Sequence, residues 1–459
     1  MIGWINGRLL GYGVPLLLMG VGIFYSIRLR FFHILRPRQI LSVLWVGGGT
    51  GEGSPLRALC LALAGTLGVG NLVGVASAVS LGGAGAVFWM WISALCAMLL
   101  KYAEVVLAMT HRRWIGGRWH GSAMYYIKDH FVGRGRPVLA KLLGGAFALL
   151  CVVNALTMGS MIQVHAIGEA MEGVLDIPPR IVGWSLAVLT FLLLRGGTGR
   201  ILSVSAKLVP LMTAGYLILS VWALAERAAV IPQVLRKILE DAFSVRAAVG
   251  GTGGFLMGRA IRYGSMRGLL SNEAGCGTAP MAHATTDGGE PAAQGIWGIF
   301  EVFADTVLLC TLTALVILSS GIPAEGENYM MITIGAYAAV LGEIASCFLA
   351  LSVLLFGFAT VICWAHYGME CVDYLSSSRG APFAFQLLYS GSVLLGTLWA
   401  SDGIWQVADL ALGLMTLINL PVLCAMSGEV LRVTNVFLNR KNGLKKRGRR
   451  DIMRGRSSR

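Results

Sequence analysis

Residues 65–71, Gly-Thr-Leu-Gly-Val-Gly-Asn, hold the chain's most distinctive chemistry. A backbone that leaves the helix here frees N–H and C=O groups. N–H groups at the start of a half-helix, at the positive end of its dipole, can hold a carboxylate. Gly68 and Gly70 let the chain turn and let a ligand approach with no Cβ in the way, and Val69 lies between them in the same cradle. On the other side, carbonyls freed from Ala64, Thr66 and Leu67 can join the Asn71 side-chain oxygen around a hard cation. The segment has no carboxylate, so a monovalent ion suits it better than a divalent one. The plainer alternative is close helix packing through Gly65, Gly70 and Gly74, which leaves Asn71 in need of a partner.

A second interruption, Ser271-Asn272-Glu273-Ala274-Gly275-Cys276-Gly277-Thr278-Ala279-Pro280, lies far downstream. It adds Asn272, Ala274, Gly275 and Thr278 as ligand-lining candidates. Glu273 is an ionisable group at membrane depth, and such groups are functional by default. The alternative for it is a fixed ion pair with Lys207 or a nearby arginine. Glu104 and Lys101, three residues apart, read as an intrahelical pair.

Both interruptions sit in apolar surroundings. From Leu56 to Leu81 the only charge is Arg57, at the edge. In lipid a broken helix exposes backbone groups that no water satisfies, so it persists only where it lines a cavity. Two Gly/Pro-interrupted segments in corresponding positions of two halves point to the binding site of a secondary transporter.

Composition agrees. Hydrophobic residues are 56% and charged residues 13% of the 459, against roughly 25% charged in soluble domains. Most of the surface must therefore face lipid. The net charge of +14 does not imply nucleic acid, because the basic residues cluster between apolar runs and in the tail from Arg432 to Arg459. That is the positive-inside pattern, with attraction to anionic headgroups. The nine cysteines fall almost all in apolar runs, without CxxC spacing, and read as free buried thiols. The first apolar segment lacks a basic n-region and a cleavage site, and reads as a retained span.

About eleven spans of the ~20-residue length a bilayer needs can be counted. They fall near residues 10–28, 56–81 (broken), 84–110, 144–171, 180–195, 206–225, 266–285 (broken), 294–320, 333–364, 384–400 and 405–430. The stretch from Arg28 to Trp45 is basic and amphipathic and belongs at the interface. The predicted fold is an all-α polytopic membrane protein: one extra N-terminal span, then a 5+5 repeat. Each half opens with its broken helix, and an odd number of spans per half makes the repeat inverted. The predicted divisions are 1–55 for the first span and interfacial helix and 56–228 for the first repeat. A connector at 229–265 and the second repeat at 266–430 follow, then a basic tail at 431–459.

Arg28–Arg38, His111–Lys141, Arg195–Lys207 and the tail fall on one side, taken as cytoplasmic. The N-terminus is then outside and the C-terminus inside. Glu325, Glu327 and Asp402 fall outside. Two places fit poorly: a basic connector, Arg227 to Arg267, on the outside, and a loop with Asp287 and Glu290 inside without a basic residue.

The runs Gly65-Thr66-Leu67-Gly68-Val69-Gly70-Asn71-Leu72-Val73-Gly74, Leu81-Gly82-Gly83-Ala84-Gly85-Ala86-Val87-Phe88-Trp89-Met90-Trp91, Lys101-Tyr102-Ala103-Glu104, residues 267–283 and Cys310-Thr311-Leu312-Thr313-Ala314-Leu315 resemble the alanine or glycine:cation symporter family. The likeness runs from about residue 10 to 430. It implies a leucine-transporter-like fold in the cell membrane and sodium-coupled uptake of small neutral amino acids, with sodium as co-transported ion and no cofactor. It also makes Gln163 a substrate contact, Trp364 a pocket wall and Thr360 a hydroxyl ligand for sodium. Ser160 and His165 stand where the family has Asn, Ala359 stands where it has Ser, and Asn419 followed by Pro421 reverses its Pro-Asn order. His165 is either a neutral hydrogen-bonded residue or a pH-sensitive member of the pathway.

Two other classes compete. A membrane-embedded enzyme needs a catalytic constellation, and no HExxH, GxSxG or Walker A is present. The seven histidines are scattered, and Gly250-Gly251-Thr252-Gly253-Gly254 lacks a following βα pattern. A channel or sensor also tolerates broken helices. Proton coupling on the same fold remains the nearest alternative to sodium.

Overall fold

The computed structural model describes residues 13–46, 49, 51, 53–243, 252–323, 328–399 and 402–440. Gly250, Gly251, Glu325, Glu327 and the tail beyond residue 440 lie outside the described residues. Apart from one hairpin, Arg113–Ile115 against Arg118–His120 with Trp114 opposite Trp119, the described elements are helical.

Seven helices are long and apolar enough to cross a bilayer: Gly85–Thr110, Pro137–Leu175, Gly197–Glu226, Pro291–Ser319, Glu343–Leu375, Ala381–Leu398 and Gly403–Ala425. An eighth crossing is the pair Pro55–Thr66 and Gly70–Gly82, bent by 46° at the first glycine-rich interruption. Val14–Arg28, Pro179–Leu194 and Tyr329–Leu341 are shorter apolar helices. The chain is a multi-pass membrane protein. Several helices start on proline, including Pro55, Pro137, Pro179 and Pro291. There the missing N–H is one that no helix start needs. Ser54 caps the first broken helix by accepting from the Arg57 N–H at 3.3 Å.

Two boundaries differ from the sequence reading. The run expected as one span at 333–364 is two helices, Tyr329–Leu341 and Glu343–Leu375. They separate at Gly342, whose φ of 82° lies in the left-handed region. In so apolar a run the turn is marked only by Gly342 and the Glu343 that follows it, which opens the second helix. The helix before the second interruption starts at Thr252, well before the expected residue 266. Its arginines, read as connector, are part of that helix.

Two amphipathic helices follow their patterning. Pro37–Val46 leaves Leu41 and Trp45 exposed, Trp45 at 92%. Ile231–Ala242 buries Val234, Ile238 and Ala242 at four-residue intervals and turns Arg236 and Glu240 outward.

One end of the bundle gathers the basic segments. Arg118 bonds Thr198 and, at 2.6 Å, Asp373, while His120 Nδ1 lies 2.7 Å from Glu370. The acidic loop 284–290 joins them. Arg112 donates to the Thr286 carbonyl at 2.5 Å, and Arg440 pairs with Glu290 at 2.8 Å. The loop without a basic residue of its own is thus neutralised by arginines from elsewhere in the chain.

Candidate functional site

The first interruption is short and tight. Leu67, Gly68 and Val69 separate the half-helices, with the Gly68 N–H bonded to the Thr66 carbonyl at 2.9 Å. Asn71 N–H reaches back to the Gly68 carbonyl at 3.3 Å. Thr66 and Asn71 are buried, as are Ala64, Leu67 and Val69. Thr66 Oγ1 turns to its own helix, 3.4 Å from the Ala62 carbonyl.

Two side chains converge on this turn. Thr360 Oγ1, on the 343–375 helix, donates to the Ala64 carbonyl at 2.9 Å. Gln163 Oε1 accepts from the Val69 N–H at 3.2 Å. A Cβ at Gly68 would lie 2.8 Å from Thr360 Oγ1 and 2.9 Å from Gln163 Oε1, so only glycine fits there. Resemblance alone named Gln163 as a substrate contact and Thr360 as a sodium ligand, and the structure sets both side chains against Gly68. Gln163 follows a π-helical turn, Thr157–Met161, and its amide donates to the Met158 carbonyl at 3.1 Å. Such π turns widen a helix by one residue and frequently mark functional positions. A small void beside the turn is lined by Gly68, Asn71, Leu72, Tyr216, Leu309 and Phe356. Its wall is apolar except for Asn71 and the Tyr216 ring, whose hydroxyl is tied to Thr313 at 2.6 Å.

Asn71 faces away from Thr360, toward the second interrupted segment. Its amide donates to Asp305 Oδ1 at 2.6 Å, and its carbonyl oxygen lies 2.8 Å from Ser271 Oγ. Asp305 Oδ2 is within 2.7 Å of both Ser271 Oγ and Thr306 Oγ1. Asn272 bonds Thr306 at 3.2 Å and the Gly268 carbonyl at 2.7 Å. Asp305 itself sits in a second π-helical stretch, Phe303–Cys310. Of the expected cation ligands, Ala64 and Thr360 meet each other, whereas Asn71 is bonded to Ser271 and Asp305.

The second interruption is fixed mainly by Glu104. Its two oxygens accept from the Gly275 and Gly277 N–H groups, each at 2.9 Å, and Asn419 donates to it at 2.7 Å. Gly275 and Gly277 have φ of 86° and 78°, and Glu273 shares that left-handed region at 52°. Left-handed backbone strains a residue with a Cβ, so Glu273 is held there by its surroundings. The intrahelical Glu104–Lys101 pair is not formed. Lys101 Nζ instead lies 3.2 Å from Glu301, whose other oxygen meets His283 at 2.9 Å. The two orphan amides of the break, which no water reaches, are the stronger attraction for the carboxylate. The alternative for Glu273, an ion pair with Lys207 or a nearby arginine, is also not formed among the described residues. Glu273 accepts from Thr278 Oγ1 at 2.7 Å, and Lys207 is exposed on its own helix.

The remaining candidates are placed as follows. Gly275 and Thr278 are engaged in the Glu104 and Glu273 contacts just described. Gly70 opens the second half-helix. Trp364 is fully buried one turn beyond Thr360, against Gly159 of the π turn and 5.5 Å from the Tyr367 ring. His165 lies off the site, partly exposed and 3.8 Å from Glu169. Ser160 bonds Ser392 at 2.7 Å, and Asn419 belongs to the Glu104 network. Sequence reasoning missed Asp305. It is an acid inside an apolar run, one turn after Glu301, and carries the same signal that singled out Glu273.

With this geometry in hand, the comparisons are direct. Residues 1–451 match the model of the sodium:alanine symporter family. An uncharacterized transporter of Haemophilus influenzae is 37% identical over 437 residues, 94% of each chain. The sodium/alanine symporter AgcS of Methanococcus maripaludis is 32% identical over 97% of this chain and 98% of its own. Among solved structures, MhsT in complex with L-phenylalanine aligns over 84% of this chain and 93% of its own. Its TM-score is 0.52 at 12% identity, a likeness of fold. A family model that matches residues 1–451, with relatives 37% and 32% identical over nearly the whole chain, settles the identity: the chain belongs to the sodium:alanine symporter family.

Proposed function

We propose that this protein is a sodium-coupled symporter that imports small neutral amino acids, alanine and glycine foremost, by alternating access. One observation carries the reading: Gln163 and Thr360 meet at Gly68 with no room for a Cβ. Gln163 Oε1 holds the Val69 N–H, a position that a carboxylate oxygen of the cargo takes over when it binds at the half-helix start. Sodium then takes the Ala64 carbonyl and the Thr360 hydroxyl oxygen, as an oxygen-seeking cation does. The apolar wall of Leu72, Leu309 and Phe356 beside this point suits a hydrogen or methyl side chain. Membrane orientation follows the basic end of the bundle: C-terminus cytoplasmic, N-terminus outside, in the cell membrane. Eleven spans in two inverted units of five, after the Val14–Arg28 helix, complete the architecture.

Proteoliposomes with an inward sodium gradient test this. Labelled alanine should accumulate above its external concentration, and choline in place of sodium should abolish accumulation. Equal uptake in both salts refutes sodium coupling. Proton coupling has one observation in its favour: Glu104, Glu273, Glu301 and Asp305 are all buried, with Lys101 paired to only one of them. Accumulation driven by an imposed pH gradient without sodium selects that version.

A further inference from the structure

We infer that His120, Glu370, Asp373 and His366 form a site for a divalent transition-metal ion of the zinc kind at the basic end of the bundle. His120 Nδ1 and one carboxylate oxygen each from Glu370 and Asp373 lie within 4.8 Å of one another. Zinc ligands stand about 2.0–2.2 Å from the ion, hence up to about 4 Å apart, so the three need to draw in by less than about 1 Å. His366, Glu370 and Asp373 follow one another on the Glu343–Leu375 helix at spacings of four and three, which sets them on one face. His120 comes to that face from the hairpin. His366 is 1% exposed, and neither of its ring nitrogens makes a hydrogen bond, though the Met281 backbone is near. The groups it faces are Glu370, Arg118 and His120. A buried imidazole left bare is costly, and a metal ion satisfies it.

The charges point the same way. Arg118 is the one arginine or lysine paired with the cluster among the described residues, 3.5 Å from Glu370 and 2.6 Å from Asp373. One guanidinium leaves one of the two carboxylate charges uncompensated. The side chains of Glu370 and His120 are only 4% and 5% exposed, whereas those of Arg118 and Asp373 are 34% and 27%. Arg118 therefore covers the mouth, and it can swing into water while the buried ligands stay. Its Nε donates to His120 Nε2 at 3.1 Å, so the ring proton is on Nδ1, facing Glu370. When an ion displaces Arg118, that proton moves to the vacated Nε2 and Nδ1 gives its lone pair to the metal, with no net proton released. A mixed set of imidazole nitrogens and carboxylate oxygens suits zinc-like ions and not magnesium.

This site is independent of which cation drives transport. Zn²⁺ is titrated by calorimetry into the purified full-length protein in detergent, stripped beforehand with a chelator, for the parent, His120→Ala, His366→Ala, Asp373→Asn and Arg118→Gln. The parent should bind one Zn²⁺ per chain that His120→Ala and Asp373→Asn each weaken at least about tenfold, since even the groups that support a metal's ligands are worth that much. An excess of Mg²⁺ of about a hundredfold should not displace it. Arg118→Gln should bind Zn²⁺ several-fold more tightly than the parent, because the competing cation is gone. His366→Ala loses no hydrogen bond, so it is the informative variant if the others do not fold, and it should weaken Zn²⁺ several-fold. A parent that binds no Zn²⁺ overturns the site. So does Zn²⁺ binding unchanged in His120→Ala, or in His366→Ala where only that variant folds. Weaker binding in Arg118→Gln, or displacement by Mg²⁺, overturns it as well.

Discussion

Gly68→Ala is the sharpest perturbation of the first interruption. The added Cβ would sit 2.8 Å from Thr360 Oγ1 and 2.9 Å from Gln163 Oε1, closer than carbon and oxygen tolerate. Neither atom can yield freely. Thr360 Oγ1 is held by the Ala64 carbonyl at 2.9 Å, and Gln163 Oε1 by the Val69 N–H at 3.2 Å. Overpacking a close-packed site costs about 1–3 kcal/mol. Each displaced buried hydrogen bond adds about 1 kcal/mol. With one or both bonds displaced, a total of about 2–5 kcal/mol corresponds to roughly a 30- to 5,000-fold loss of affinity if it falls on the binding-competent state. Calorimetric titration of alanine in saturating sodium, on parent and variant, reads this directly, with thermal unfolding as a check on the fold. Gly68→Val should bind no measurable alanine. Alanine affinity within twofold of the parent in Gly68→Ala would refute the cradle at Gly68 and Val69.

Other substitutions probe separate contacts. Thr360→Val keeps the shape and loses the hydroxyl, so the sodium concentration for half-maximal uptake should rise about tenfold, and an unchanged curve removes Thr360 from the ion path. Asn71→Ala should weaken sodium dependence more than amino-acid selectivity, which sodium titrations with alanine and serine as competing cargoes distinguish. Glu104→Ala leaves the Gly275 and Gly277 amides unsatisfied, about 1–3 kcal/mol each, and should lower the detergent unfolding temperature by several degrees. Unfolding at the parent's temperature would show that those amides find other partners. Ala359→Ser restores a hydroxyl beside Thr360 and should tighten sodium dependence, whereas superimposable sodium titrations would make that position silent.

Much of the first site was legible because lipid makes broken helices conspicuous. Gly68 and Asn71 stand out in an apolar run, since only a liganded or cavity-lining backbone can afford them there. Gln163 and Thr360 carried no such mark. They are single polar residues in long helices, and only resemblance to a family pointed to them. The partners of charged groups were harder to read. Glu104 and Lys101 share a helix face by spacing, yet each turns to a different element, because burial rewards the carboxylate that satisfies two stranded amides. Gly342 shows the same limit for boundaries, because one glycine at positive φ divides what reads as a continuous span.

The central claim is that amino acid and sodium bind together at the first interruption. If they share it, each must raise the other's affinity by the same factor. Alanine binding to the purified protein, titrated by calorimetry over a series of sodium concentrations at constant ionic strength, measures that linkage. The account predicts alanine affinity that rises with sodium and then saturates, with sodium affinity raised equally by saturating alanine. Alanine that binds equally tightly without sodium would contradict it.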